Sequence, residues 1–548
     1  MKPARAAGVL RAHAAIFGLL ALAAPLLVAF AWQPGLATFN DDSFSYLTLA
    51  RWIEGSRTFV EPWAWQHAHF PPLFPLVLVA TRGSQSLAAA HVTVALLAAL
   101  ALAALYRYAL LETRSRAAAC LLAAAFLLTP TAWLSILGVL SEPLFLAITL
   151  MALACHARHL AQSDAPPRRW IVFGLWLAAA QQTRSAAVTL IAAYAVHAAL
   201  RFARTPRTLR IRLLLPFLPV LLLAPLWPWL RPGAGGDYQD QLATLAAAWA
   251  AHPAQALRQG VDVLVRAWLA SLQGEGTTGG TASLPFLALG AIALAGTVRR
   301  AARNALDGWY VLLTLPLLVF WNYGEETSRR LLYPLLPLLL LHAGEALAAL
   351  AARLDLAHRA RFAVAACCAL VIALCLPAMA LLALRALDRT PLPGTSMAYS
   401  NVLEYYRSRN EVAARQAANP QLAALIGLQA LRQVTEPDAR VMWMRPEYVG
   451  LLGQRRGVPY EYGWDKLTFA RALEATGTRY LVLSEIYKLD VDFALSNPGP
   501  MFADLARFSE PYYSVTLPLA GRAQFVLQRV DPVRLREYLR ENGFARAP

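Results

Sequence analysis

Charged residues are scarce in this sequence. Asp, Glu, Lys and Arg together make up 15% of its 548 residues, whereas 58% of the residues are hydrophobic. Soluble proteins average about 25% charged residues, so this composition excludes a soluble enzyme and an intrinsically disordered protein. It predicts a polytopic α-helical membrane protein instead, because long apolar segments are what a helix needs to cross a bilayer.

Cysteine is also rare. The chain has five cysteines, too few for a disulfide scaffold of this length. All five lie inside segments that we predict to span the membrane, so no disulfide is expected to support the segments outside it. They are Cys120, Cys155, Cys367, Cys368 and Cys375.

Long apolar runs recur up to residue 387. A transmembrane helix needs roughly 20 mostly apolar residues. About eleven segments approach that length: 14–32, 86–106, 117–135, 139–157, 170–183, 185–200, 213–230, 283–298, 308–321, 331–350 and 362–386. The first run is longer than the ~7–15-residue core of a signal peptide, so we interpret it as a retained span.

Basic residues are distributed unevenly between the loops that join these spans. If the N-terminus is cytoplasmic, the inner loops hold 20 Lys and Arg in 69 residues, and the outer segments hold nine in 126. Their distribution predicts a bacterial inner-membrane protein with a cytoplasmic N-terminus and a periplasmic C-terminal region. The inner loops have a net charge of +16, nearly all of the +17 of the chain. The basic balance therefore indicates contact with membrane lipids and excludes nucleic acid as a partner.

The composition changes after residue 387, where the long apolar runs end. Short strand-like and helix-like segments alternate there: 440–444, 458–462, 479–483 and 524–529 for strands, and 401–416, 420–433, 466–475 and 532–541 for helices. This pattern predicts a periplasmic soluble α/β domain over 388–548, following a transmembrane domain over 1–387. Residues 388–548 contain no glycine-rich phosphate loop, which disfavours nucleotide-dependent chemistry there.

The first outer loop, residues 33–85, carries the most informative motif. Asn40 is a suitable helix N-cap, and Asp41 and Asp42 follow it in the first turn. An apolar face at helical spacing follows, which predicts a helix at the membrane surface. Two interpretations stay open at this point: the aspartates only satisfy the helix N-terminus, or one carboxylate is aimed at a substrate.

Further ionisable residues lie at the outer ends of the predicted spans. They are Glu142, Arg184, Glu325, Glu326, Arg329 and Arg330. Such groups are costly at membrane depth and are candidates for function. A structural alternative stays open for four of them: Glu325 and Glu326 only pair with Arg329 and Arg330, four residues later.

A divalent metal ion is a weaker possibility. His67 and His69 precede a proline-rich turn, and imidazole and carboxylate groups such as that of Glu142 are ordinary Zn²⁺ ligands. Two histidines two residues apart are more often polar surface residues, so the sequence establishes no cofactor.

In these motifs the chain resembles the GT-C superfamily of integral membrane glycosyltransferases, especially the bacterial branch of aminoarabinose transferases and relatives of protein O-mannosyltransferases. The family pattern Asp-x-x-x-Tyr-x-x-x-Ala is matched by Asp42, Tyr46 and Ala50. Three more elements match in the same order: Pro-Pro-Leu-(Tyr/Phe) by Pro71 to Phe74, a Leu-Thr-Arg-like turn by Thr183 and Arg184, and Arg-x-x-x-Pro-x-x-Pro by Arg330, Pro334 and Pro337.

The resemblance implies sugar transfer from a polyprenyl-phosphate donor to a lipid, glycan or protein acceptor, with inversion at the anomeric carbon. It implies that Asp42 is the catalytic base, with Asp41 as the fallback. It also implies a set of substrate-binding residues, of which the arginines face the donor phosphate: Arg184, Arg329, Arg330, Glu142, Tyr46 and His69.

The chain departs from the family pattern at two places. Ser43 follows Asp42 where the family often has Asp-Glu, and His69-Phe70 stand where several relatives have Glu-Lys. A lysine for the donor phosphate is therefore missing, and the arginines would have to replace it.

A transporter or flippase of lipid-linked intermediates is the alternative from another class of protein. Transporters often have internal repeats and broken helices near the membrane midplane. The sequence shows no internal repeat, and its polar clusters lie near the outer ends of the spans, which favours the transferase. An inactive scaffold that keeps the fold also stays open.

Overall fold

The structure is a computed structural model that describes most of the chain. The described residues are 13–32, 41–55, 70–160, 164–226, 237–273, 283–322, 324–356, 362–386, 389–391, 398–400, 411–460, 464–486, 500–517 and 520–544. The chain divides into two compact units. The first comprises Met1–Trp32 and Ala68–Leu387, and the second comprises Gln33–His67 and Asp388–Pro548. The sequence does not predict that part of the first outer loop groups with the C-terminal residues.

The described residues of the first unit form helices joined by turns, with no strand among them. Its longer helices are Ala14–Ala31, Leu87–Thr113, Arg116–Leu127, Glu142–His159, Pro167–Gln181, Val188–Phe202, Asp237–Ala251, Pro253–Gln273, Leu284–Ala302, Leu306–Trp321, Leu336–Arg353 and Ala363–Arg385. Its shorter helices are Leu73–Ala80, Pro130–Leu134, Arg210–Leu214, Phe217–Leu223 and Glu325–Leu332, with 3₁₀ turns at Ser185–Ala187 and Arg207–Leu209.

Six helices of the described residues are long and apolar enough to cross a membrane. They are Ala14–Ala31, Leu87–Thr113, Ser185–Phe202, Leu284–Ala302, Leu336–Arg353 and Ala363–Arg385. The prediction of a polytopic helical membrane protein is confirmed, whereas the count of about eleven spans stays a prediction. Proline interrupts some of the other predicted spans, because it lacks an N–H and clashes with the preceding turn. Arg116–Leu127 ends before Pro130, for example.

The second unit contains a five-stranded mixed sheet. Its strands are β3 Arg440–Met442, β4 Arg456–Val458, β5 Tyr480–Ser484, β6 Ser509–Val515 and β7 Phe525–Val530. They lie in the order β4-β3-β5-β7-β6. β3 pairs in parallel with β4 and β5, and β7 pairs antiparallel with β5 and β6. A separate antiparallel pair is formed by β1 Arg389–Pro391 and β2 Ala398–Ser400.

Helices accompany this sheet, as an α/β domain requires. The longer ones are Glu411–Val434, Lys466–Thr476 and Pro532–Glu541, and a short helix Pro446–Tyr448 continues into the π-helical turn Val449–Gly453. Asp465 caps the second of these helices. A hydrogen bond from the Thr468 hydroxyl, then those from the N–H groups of Thr468 and Leu467, lower the pKa of Asp465 to about 2.

The helix Asp41–Ile53 belongs to the second unit. The Phe44 ring lies 3.5 Å from the Tyr448 ring, centroid to centroid, and Tyr448 packs in turn against Trp443. All side chains from Ser43 to Ala50 are buried, so the helix is covered on more than one face. The sequence predicts a surface helix with one apolar face, whereas the observed helix also buries small hydroxyl residues. They are Ser43, Ser45 and Thr48.

Four helices of the first unit meet around a buried acid, Asp307. The Tyr108 hydroxyl donates to Asp307 Oδ2 at 2.7 Å, and His342 Nε2 donates to the same oxygen at 3.0 Å. Arg300 Nε lies 2.8 Å from that oxygen as well. Each of these four side chains comes from a different helix, so the contacts fix how the helices align along one another.

Arg300 extends this network to two more carboxylates. Its Nη2 lies 2.7 Å from Glu112 Oε2, and its Nη1 lies 2.6 Å from Glu345 Oε1. The backbones of two helices also approach closely here, so a methyl group on Gly296 would overlap the carbonyl of His342. The residues that make these contacts lie at or near predicted inner loops, which places the network at the end of the helices expected to face the cytoplasm.

We expect Asp307→Asn to destabilise the first unit by about 3 kcal/mol, because an amide cannot accept all three donors and leaves Arg300 short of a buried counter-charge. The measurement is the free energy of unfolding in detergent. Asp355→Asn is the matched control, since Asp355 is exposed in an inner turn. Equal effects of the two substitutions would show that the network contributes no stability.

Candidate active site

Glu142 begins the helix Glu142–His159 and is almost fully enclosed, with 1% of its side chain exposed. Pro143 follows it in the first turn, where the N–H that proline lacks would have no helical partner. A carboxylate at a helix N-terminus is stabilised by the partial positive charge of the helix dipole. The local sequence Ser-Glu-Pro therefore starts a helix and directs an acid to its end.

Two arginines converge on this carboxylate. Arg184 Nη1 lies 2.9 Å from Glu142 Oε1. Arg330 Nε and Nη2 donate to the same oxygen at 3.0 and 2.8 Å. The arginine side chains are 16% and 11% exposed, so both guanidinium groups are mostly shielded from water. The three side chains carry a formal net charge of +1.

Backbone and side-chain contacts hold Arg184 in place. Arg184 Nη1 also donates to Ser141 Oγ at 3.2 Å. Two residues before it, the carbonyl of Gln182 accepts a hydrogen bond from the N–H of Leu73 at 2.8 Å. The Pro-Pro-Leu-Phe element and the Thr-Arg turn, distant in sequence, are therefore in direct contact.

Arg330 lies on the short helix Glu325–Leu332, and its neighbour Arg329 is directed elsewhere. Arg329 is buried, and its Nη1 lies 3.4 Å from the Thr131 hydroxyl. Arg329 thus adds positive charge next to the cluster and makes its own polar contact with a different helix.

The predicted catalytic carboxylates lie in the other unit. Asp42 is in the first turn of Asp41–Ile53 and is half-buried, and Tyr46 on the same helix is buried. The side chain of Asp41, and His67 and His69, lie outside the described residues. The structure therefore brings together Glu142, Arg184 and Arg330, and the roles predicted for the remaining residues stay predictions.

The described residues offer no ready metal site. No group of three or more His, Cys, Asp or Glu side chains among them could hold an ion. Of the three candidate metal ligands, Glu142 is the one within the described residues. One of its oxygens already receives three N–H groups from arginines. Cation binding there would compete with both guanidinium groups.

Comparisons with known proteins give a fold but no sequence match. No protein-family model matches the chain, and no curated protein matches its sequence. ArnT from Cupriavidus metallidurans in the apo state matches with a TM-score of 0.52 at 15% identity, over 94% of this chain and 98% of that chain. ArnT bound to undecaprenyl phosphate matches with a TM-score of 0.51 at 15% identity, over 93% and 97%. The chain has the GT-C fold.

The GT-C fold expected from the motifs is therefore confirmed, and the structure adds residues that the motifs did not single out. Ser141 and Thr131 supply hydroxyl partners to Arg184 and Arg329. Ser141 adjoins Glu142 in the sequence, which is the signal that could have identified it. Thr131 carries no comparable signal, because its role depends on how two distant helices pack.

We expect the Glu142–Arg330 pair to have a coupling free energy of roughly 0.5–3 kcal/mol, the range for residues in contact within one network. The measurement is a double-mutant cycle with Glu142→Ala and Arg330→Ala, read from unfolding in detergent. The same cycle with Arg353→Ala is the control, because Arg353 is exposed at the far end of the following helix. Coupling as small as in this control would contradict the shared-carboxylate arrangement.

Proposed function

We propose that the chain is a membrane glycosyltransferase. It transfers a sugar from a polyprenyl-phosphate donor to a lipid, glycan or protein acceptor at the periplasmic face of a bacterial inner membrane. The GT-C fold supports this proposal, and so does the fact that ArnT, which shares the fold, has been solved bound to undecaprenyl phosphate.

The observation that carries the proposal is the pair of arginines held by Glu142. When the bond between the sugar and the phosphate breaks, negative charge grows on the leaving phosphate, and fixed positive charge lowers the energy of that state. Guanidinium groups suit this task because they stay charged and their planar fork matches two phosphate oxygens. A guanidinium has five N–H donors, so one such group can contact a carboxylate and a phosphate at the same time.

Glu142 has a positioning role in this scheme. Two guanidinium groups repel each other, and a carboxylate between them offsets that repulsion and fixes both side chains. The remaining net charge of +1 favours a monoanionic or dianionic phosphate over a neutral ligand. Because both side chains are already held in place, little reorganisation is needed as charge develops during the reaction.

The acceptor side of the reaction is assigned to the first outer loop. Asp42 accepts the proton of the acceptor hydroxyl, and the oxygen attacks the anomeric carbon from the face opposite the phosphate. The bond from that carbon to the phosphate oxygen breaks, its electron pair stays on the phosphate, and the configuration inverts. Asp41 is the fallback base, and Tyr46 and His69 are proposed to contact the substrates.

We expect Asp42→Asn to lower sugar transfer by ~10²–10⁴-fold, the usual contribution of a general base. Asn keeps the shape of Asp, and losing a charge in the first turn of a helix costs only about 0.3–1 kcal/mol, so replacing a purely structural aspartate would lower activity little. The measurement is transfer from radiolabelled polyprenyl-phosphate sugars by reconstituted protein, with lipid and protein products separated.

Asp41→Asn is the matched control for this substitution, and its effect should be milder. Loss of transfer in Asp41→Asn alone would move the base one residue upstream. Normal transfer by both variants would remove this loop from the mechanism. Transport of an intact lipid-linked sugar without transfer would favour a flippase instead.

A further inference from the structure

Two helices of the first unit, Asp237–Ala251 and Pro253–Gln273, lie between the predicted spans 213–230 and 283–298. The predicted orientation puts this segment on the periplasmic side. The second helix exposes Leu257, Val261 and Val265, with exposed fractions of 52%, 44% and 38%. Residues four positions apart share one face of a helix. These three side chains therefore form a continuous exposed row, which we name the apolar ridge.

Charged residues run beside the apolar ridge, each one position further along the chain. Arg258, Asp262 and Arg266 share the neighbouring face, and Arg266 Nη2 lies 2.7 Å from Asp262 Oδ2. We name these three residues the charged ridge. An apolar ridge adjoining a charged ridge on one helix is the pattern of helices that lie flat in a membrane interface.

Both helices contact the last turn of the helix Leu306–Trp321. The Trp249 indole N–H donates to the carbonyl of Phe320 at 2.9 Å, and the two rings stack with centroids 5.4 Å apart. A methyl group on Gly260 would overlap the carbonyl of Val319, so the two backbones touch there. Both contacts lie in the last turn of Leu306–Trp321, at the opposite end from Asp307.

The helix that carries the apolar ridge packs against a helix that could span the membrane. The Trp268 indole N–H donates to the carbonyl of Phe286 at 2.8 Å, which joins Pro253–Gln273 to the helix Leu284–Ala302. That helix is long and apolar enough to cross a membrane, and it exposes Leu284, Leu287, Leu294 and Val298. Lipid acyl chains around this helix would therefore border the helix that carries the apolar ridge.

We infer that Pro253–Gln273 is an interfacial helix, with its apolar ridge in the acyl chains of one leaflet and its charged ridge among the lipid headgroups. In the predicted orientation this is the outer leaflet. The occupant of the ridge is membrane phospholipid. The position of Trp249 fits this assignment, because tryptophan is enriched where a membrane meets water.

This placement has a consequence for the neighbouring helix that carries the arginines. Arg266 Nε lies 3.9 Å from Glu325 Oε2, and Glu325 is the first residue of Glu325–Leu332. The interfacial helix therefore borders the segment that presents Arg330. Lipid headgroups beside the charged ridge would lie at the same depth as that segment.

Site-directed spin labelling in liposomes of phosphatidylethanolamine and phosphatidylglycerol tests the inference without relying on any activity. Single cysteines would be placed at Leu257, Val261 and Val265 in a chain whose five native cysteines are replaced by alanine. Arg258→Cys is the matched control on the charged ridge. We expect labels on the apolar ridge to collide more often with oxygen, which concentrates in lipid, and several-fold less often with a water-soluble nickel chelate than the control label.

Two other outcomes would overturn the inference. Strong collision with the nickel chelate at all three positions, equal to that at Arg258→Cys, would mean that the ridge faces water. Weak collision with both reagents would mean that a second copy or another protein covers it. Because three neighbouring positions report on the same face, a single variant that fails to fold does not decide the result.

Discussion

The ion pairs between Glu142 and its two arginines are the interaction on which the candidate site depends. One oxygen of this buried carboxylate receives N–H groups from Arg184, which precedes the 3₁₀ turn Ser185–Ala187, and from Arg330 on the helix Glu325–Leu332. Without that oxygen, two mostly buried guanidinium groups would lose the carboxylate that they share, and breaking a buried ion pair is strongly destabilising. With it, the site keeps a net positive charge in a fixed geometry. The same contact that stabilises the packing thus leaves these three side chains with the net positive charge that the proposed phosphate binding requires.

A second polar network, centred on Asp307, lies at the other end of the same unit. The residues predicted to face outward contact one another around Glu142, and those predicted to face inward contact one another around Asp307. Polar side chains within a bilayer are costly unless they are paired, so the apolar middle of the helices separates two well-paired ends. This separation leaves one cluster to fix the helices and the other to carry the proposed chemistry.

The sequence predicts much of this arrangement but not the contacts within it. Glu142, Arg184 and Arg330 are recognisable as ionisable residues beside apolar runs, whereas their meeting at one oxygen depends on the packing of helices far apart in the chain. The span pattern does not predict the helix Pro253–Gln273, because this helix is not apolar all round. The strand pattern does not predict β6, because β6 is an edge strand with mostly exposed residues and an internal proline, Pro511.

The proposed sugar transfer requires the arginines held by Glu142 to bind the phosphate of a lipid donor. Equilibrium binding of a short-chain polyprenyl phosphate to purified protein tests it most directly, with the matching polyprenol as the ligand that lacks the charge. We expect the phosphate to bind more tightly than the alcohol, and Arg184→Ala or Arg330→Ala to weaken phosphate binding by about 10–100-fold, as losing a hydrogen bond to a charged group does. Equal affinity for phosphate and alcohol, or unchanged phosphate binding in both variants, would contradict the account.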